Sequence, residues 1–285
     1  MRRRPLLALA ALALLTPASA LAQTDRQAME RGATWLESLS IGSVGQQADA
    51  IVALAAAGRS RASLQSRLTT MSASASSYAT TAGAAGKVVL ATVAAGGNPH
   101  SVGGVDYIMR IENHYAAGRY GVTAYDQALA MLALRAAGER TPAAAVKALR
   151  AARGKGGWGF ALRTASPDDV SATGLTIEAM RAAGVSKADA ALKGATAWLT
   201  AQINTRGGFG IDGRGRATEA NATALAIRAL RAMGRAPATA TRRALRKLQE
   251  ADGGFRFTAK IRESRLLATV DAVLALSGHR LPPPY

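Results

Sequence analysis

Asp168 and Asp169 follow Ser166-Pro167 and form the only adjacent pair of acids in the chain. Cleavage of a glycosidic bond needs two carboxyl groups, one acting as general acid and the other as base or nucleophile, so this pair is the first candidate for catalysis. Asp212 and Glu219 occupy a comparable glycine-rich setting. A local role competes with the chemical one, because an acid just before a helix accepts hydrogen bonds from the free N–H groups of the first turn. Asp169 and Glu219 both precede helical patterns. Trp158, Phe160 and Phe209 could line a ligand pocket, with Phe255 and Phe257 beside them, or could pack between helices. Tyr120, Tyr125 and Asp126 suit a cavity wall, since tyrosine joins an apolar ring to a polar tip.

Other chemistries lack their residues. There is no cysteine, which removes disulfides, thiolate nucleophiles and thiolate metal sites together. His100, His114 and His279 show no metal-ligand spacing, and no nucleophile elbow, P-loop or dinucleotide fingerprint is present. No metal and no cofactor is expected.

The elements that would position these residues emerge from an internal repeat. A small-residue helical segment ending in glycine recurs six times, at Gly58, Gly96, Gly138, Gly184, Gly234 and Gly278, with spacings of 38 to 50 residues. Glycine ends helices because it enters the left-handed region without a Cβ penalty. Between the stops lie the turns Gly156-Gly157-Trp158-Gly159-Phe160, Gly207-Gly208-Phe209-Gly210 and Gly253-Gly254-Phe255-Arg256-Phe257, with fainter echoes at 42–45 and 118–121. Each period therefore reads as helix, glycine-rich turn, helix.

Segments such as Ala220 to Met233 are apolar on most faces and belong to an inner layer, whereas Lys193 to Ala201 carries one apolar stripe and belongs outside. Six such hairpins without polar capping repeats predict an all-α fold closed into an α/α toroid of inner and outer rings. The period is weakest at 60–97, where Ser72 to Ser77 reads as a loop or a weak helix.

Residues 1–22 read as a signal peptide. Arg2, Arg3 and Arg4 precede the apolar run Leu6 to Leu15, and Ala18-Ser19-Ala20 and Ala20-Leu21-Ala22 offer small-residue cleavage sites. Residues 23–285 would then form one exported domain, periplasmic or extracellular, without a membrane span and monomeric. The formal charge of +18 attracts anions such as lipopolysaccharide, anionic lipid or acidic glycan. Its arginines are scattered, as in Arg228, Arg231, Arg235, Arg242, Arg243 and Arg246. That pattern suggests a solvated outer surface, and no nucleic-acid motif accompanies it.

Gln249-Glu250-Ala251-Asp252-Gly253-Gly254-Phe255 resembles the Q-x3-G-x-aromatic element of the prenyltransferase and squalene-cyclase repeat superfamily. Asp168 to Thr173 and Glu219 to Thr223 resemble that family's acidic-to-threonine helix start. The resemblance implies an α/α toroid but not its chemistry. The cyclase acid motif D-x-D-D is absent. Asp169, Ser171 and Asp271 stand where zinc-dependent prenyltransferases carry Asp, Cys and His, so two of three zinc ligands are missing. The toroid is also similar in architecture to cobalamin carriers.

The expectation is a non-catalytic binding protein. Its ligand would be apolar or amphipathic, an isoprenoid, lipid or corrinoid-like molecule, neutral or carrying negative charge, held at the ring mouth formed by inner-helix N-termini. The alternatives are a polysaccharide lyase or glycoside hydrolase using Asp168 and Asp169, a terpenoid cyclase-like enzyme, and a cell-envelope scaffold.

Overall fold

The computed structural model describes residues 17–211 and 217–281. Among them the protein is all-α, with twelve helices and isolated β-bridges but no strand. The even-numbered helices are α2 (Val44–Ala56), α4 (Ala82–Ala94), α6 (Ala124–Ala136), α8 (Val170–Ala182), α10 (Ala220–Ala232) and α12 (Arg265–Ser277). Between them lie α1 (Pro17–Glu37), α3 (Arg61–Tyr78), α5 (Tyr107–Asn113), α7 (Ala143–Ala152), α9 (Ala190–Ala201) and α11 (Thr239–Arg246). None of the described helices is long and apolar enough to cross a membrane.

Each even-numbered helix packs against the next, and α12 packs against α2, so their contacts run in a closed cycle. The odd-numbered helices pack on one or two members of that cycle. Burial follows the composition: α10 is buried along nearly its whole length, whereas α9 buries only Leu192, Ala195, Thr196 and Leu199. Small residues let the cycle close tightly. A Cβ on Gly86 would lie 2.9 Å from the Leu129 carbonyl oxygen of the next helix, and one on Gly174 would lie 2.9 Å from that of Leu225.

All six predicted stops are left-handed glycines. After α2, Gly58 donates to the Ala55 carbonyl and Arg59 to that of Leu54, the paired bonds of a Schellman ending. The opposite ends are tied by the aromatic turns. Trp158, Phe209 and Phe255 are buried, and their backbone N–H groups donate to Thr173, Thr223 and Thr269 of the following helix at 2.8, 3.0 and 2.8 Å. Two residues further on, the carbonyls of Phe160, Ile211 and Phe257 accept from Ala124, Val170 and Ala220, the first residues of the preceding even-numbered helices. One short turn thus binds two neighbouring hairpins.

One open reading is decided and one expectation needs correction. Ser72 to Ser77 lie in the continuous helix α3, because Ser60 caps its start and Ser/Thr hydroxyls bond to carbonyls of their own helix. The arginines are not simply a solvated surface. Arg135 and Arg181 donate to the carbonyls of Ala182 and Ala232 at the C-terminal ends of neighbouring helices, and Arg231 does the same to Ala275. Arg242 and Arg246 pair with Asp25 of α1, tying the first described helix to the last hairpin, where Gln249 also donates to the Ala28 carbonyl. Arg228 is buried altogether.

Candidate functional site

The acids singled out first lie at the turn-bearing rim, bonded to backbone. Asp169 caps α8, accepting from Ala172 at 2.6 Å, and Asp168 accepts from Gly156 at 2.8 Å. Glu219 stands at the N-cap of α10 and accepts from Ile211 at 3.1 Å. Asp126 accepts from the hydroxyls of Thr81 and Thr123 at 3.0 and 2.6 Å. Asp212 lies outside the described residues. Trp158 joins α7 to α8 through its indole N–H, which donates to the Leu149 carbonyl at 2.7 Å. Phe209 is wholly buried. Tyr120 is buried against Tyr115, and Gln127 accepts its backbone N–H. These contacts account for each residue as a joint of the fold. Capping also satisfies N–H groups at the starts of α4, α6 and α8, donors that an anionic ligand at the mouth would otherwise meet.

Tyr125 has a different setting. Together with side chains from all five other even-numbered helices it lines a cavity of about 310 Å³. The lining falls in register. The second, sixth and ninth residues of these helices share one face, and this face looks inward. Tyr125, Ser171 and Asn221 are second residues, and Asp49, Lys87, Leu129, Leu175 and Leu225 are sixth residues. Val52, Leu90 and Arg228 are ninth residues. In α12 the frame moves by one, which brings Leu267, Asp271 and Leu274 to the cavity.

At the sixth position, or its shifted equivalent in α12, the lining differs between the two halves of the cycle: Leu129, Leu175 and Leu225 come from α6, α8 and α10, while Asp271, Asp49 and Lys87 come from α12, α2 and α4. Asn221 and Arg228 of α10 continue the polar wall, and Val52, Leu90, Leu267 and Leu274 add apolar surface beside it. Lys87 Nζ meets Asp49 Oδ2 at 2.7 Å. Arg228 forms a salt bridge with Glu178, both almost fully buried, and its Nη1 stands 3.6 Å from Asp271 Oδ1. Asn221 donates to the other Asp271 oxygen at 2.7 Å.

Desolvation controls the protonation of this wall. Burial pushes the Asp271 carboxyl up to about 6, despite the charges of Arg228 and Lys87 and the bond from Asn221, with Asp49 adding to the rise. Burial also raises Asp49, against the pull of Lys87 and Arg228. It works against the Lys87 ammonium, but the charge and hydrogen bond of Asp49 hold that pKa above the usual lysine range. Burial raises the Tyr125 phenol as well, with Asp169 and Asp271 adding and a hydrogen bond with Ser171 opposing.

Of the predicted site residues that the structure describes, Tyr125 alone lines the cavity, and Phe160 touches it indirectly through its ring contact with Tyr125 at 5.8 Å. Asp49, Lys87, Asn221 and Arg228 were missed as site residues, as were Ser171 and Asp271. The last two carried a signal, since the zinc-prenyltransferase resemblance had already set them at positions that meet in space. The apolar side chains of Val122, Phe160, Ile211 and Leu267 are exposed near the starts of the same helices. No model of a known protein family matches this chain, and no curated protein matches it in sequence.

Proposed function

We propose that this chain is an exported α/α toroid of the prenyltransferase and squalene-cyclase repeat type that binds a small amphipathic molecule at its centre without transforming it. The observation carrying this reading is the cavity to which each of six helices contributes, lined by leucines and valines together with one buried cluster of charged and polar groups. Mostly apolar walls with a few convergent polar groups and shifted pKa values are the usual marks of a ligand site. The exposed apolar residues near the helix starts offer an amphipathic molecule a path from the surface. Cleavage near Gln23 would keep Asp25 and Ala28, and with them the contacts to Arg242, Arg246 and Gln249, in the mature chain.

The volume narrows the ligand. About 310 Å³ lies at the low end of the range for small-molecule pockets, about 300 to 1,000 Å³. It gives room for on the order of ten water-sized groups. A corrinoid or a long isoprenoid exceeds that, whereas a short amphiphile fits. The rim reading loses support, because Asp168 and Asp169 are engaged with backbone N–H groups, and with it the lyase or hydrolase reading. A cyclase-like enzyme remains the second reading, favoured by one feature. Asp271 is a buried carboxyl facing a cavity with its pKa near neutrality, as a general acid requires.

Organic extracts of protein purified from its native host, analysed by mass spectrometry, test the binding reading. The expected result is a small amphipathic compound that is absent when Leu129→Trp fills the cavity. Protein that carries nothing, and is stabilised by no short-chain alcohol, amine or carboxylate, would contradict it.

A further inference from the structure

Among the described residues the charges around the cavity do not balance. The cations are Lys87 and Arg228, and the carboxylates are Asp49, Glu178 and Asp271. Lys87 is engaged by Asp49 at 2.7 Å. Arg228 is engaged by Glu178 through both Nε and Nη2. Asp271, from α12, faces Asn221 and Arg228 of α10, Asp49 of α2 and Lys87 of α4. Its one close partner is the neutral amide of Asn221, and the nearest cation, 3.6 Å away, already serves another carboxylate. With all five groups ionised the cluster holds one surplus negative charge in a setting where unpaired charge is costly.

We infer that the cavity selects an amphiphile with a cationic head, an organic ammonium, whose charge sits against Asp271 and whose apolar body lies along Leu129, Leu175 and Leu225. This inference rests on the binding reading above. An ammonium supplies the missing positive charge and N–H donors for a carboxylate that has few. An anionic head would meet no unengaged cation among the described residues and would add a second unpaired charge. The raised pKa of the Asp271 carboxyl agrees with a group lacking its counter-charge. The outward basic field points the other way, toward anions, so surface and interior differ in sign.

The test uses hexylamine, hexanol and hexanoate, which share one apolar chain and differ in head charge, titrated calorimetrically at pH 7.5 into the full mature chain. Hexylamine is expected to bind about tenfold more tightly than hexanol, with hexanoate weakest. Asp271→Asn, which keeps shape but removes the charge, should reduce the amine preference to within about twofold while hexanol binding persists. Hexylamine binding no tighter than hexanol or hexanoate would overturn the inference and leave the binding reading standing. No binding by any of the three would overturn both. Wild-type selectivity alone decides the point should the variant fail to fold.

Discussion

The rim and the centre of the molecule contain the same kinds of side chain in opposite circumstances. At the rim, Asp168, Asp169, Glu219 and Asp126 accept bonds from nearby backbone or threonine groups, so their carboxylates hold turns in place. At the centre, Asp49, Glu178 and Asp271 come from three different helices, have lost most of their water, and depend on Lys87 and Arg228. The contrast teaches that adjacency in sequence marks local structural work in this fold, whereas the unusual electrostatics come from residues separated by whole repeats.

The largest expected effect comes from breaking the central cluster. Arg228→Ala should destabilise the protein by about 3–5 kcal/mol, because Glu178 would be left buried without its partner and Asp271 without its nearest positive charge; denaturant titration checks this. A much smaller loss would mean that water reaches the cluster and that the two regions are alike.

Next in size is a pH effect. The folded Asp271 carboxyl lies at about 6 against an ordinary 3.8, so the folded state binds its proton more tightly than the unfolded chain does. Its contribution is therefore fully present below pH 4 and is lost as the pH rises to about 6, by at most about 3 kcal/mol. Asp271→Asn should flatten that part of a stability-versus-pH curve. An unchanged curve would assign the slope to other groups.

At the rim the expected losses are smaller. Thr223→Val keeps the shape but removes the hydroxyl that accepts from the Phe209 N–H and donates to the Phe209 carbonyl. A cost of about 1–3 kcal/mol is expected for a buried backbone pair left without its partner, read from the denaturation midpoint. Asp169→Asn should change stability by no more than about 0.5 kcal/mol, since asparagine caps a helix as well as aspartate does. A larger loss would show that the charge itself matters at the rim.

Much of the fold was legible because glycine leaves strong local marks. The six stops and the three glycine-aromatic turns fall where the sequence puts them, and the alanine-rich segments are the buried ones. Serine-rich α3 was harder, because its hydroxyls satisfy themselves within the helix and leave little apolar periodicity. The site was mostly hidden. Asp49 and Lys87 belong to the repeats with the faintest turns, and Asp271 falls into register only after a shift of one residue in α12. Aligning the helices by the second, sixth and ninth residues, instead of by their turns, collects the cavity side chains from five of the six; acids beside glycines drew attention to the rim instead.

Parallel calorimetric titrations of hexylamine into Leu129→Trp and Asp169→Asn test most directly whether ligand chemistry lies at the centre and not at the rim. The account predicts no binding heat for the first variant and wild-type binding for the second, with both folded by circular dichroism. Binding retained by Leu129→Trp but lost by Asp169→Asn would contradict it.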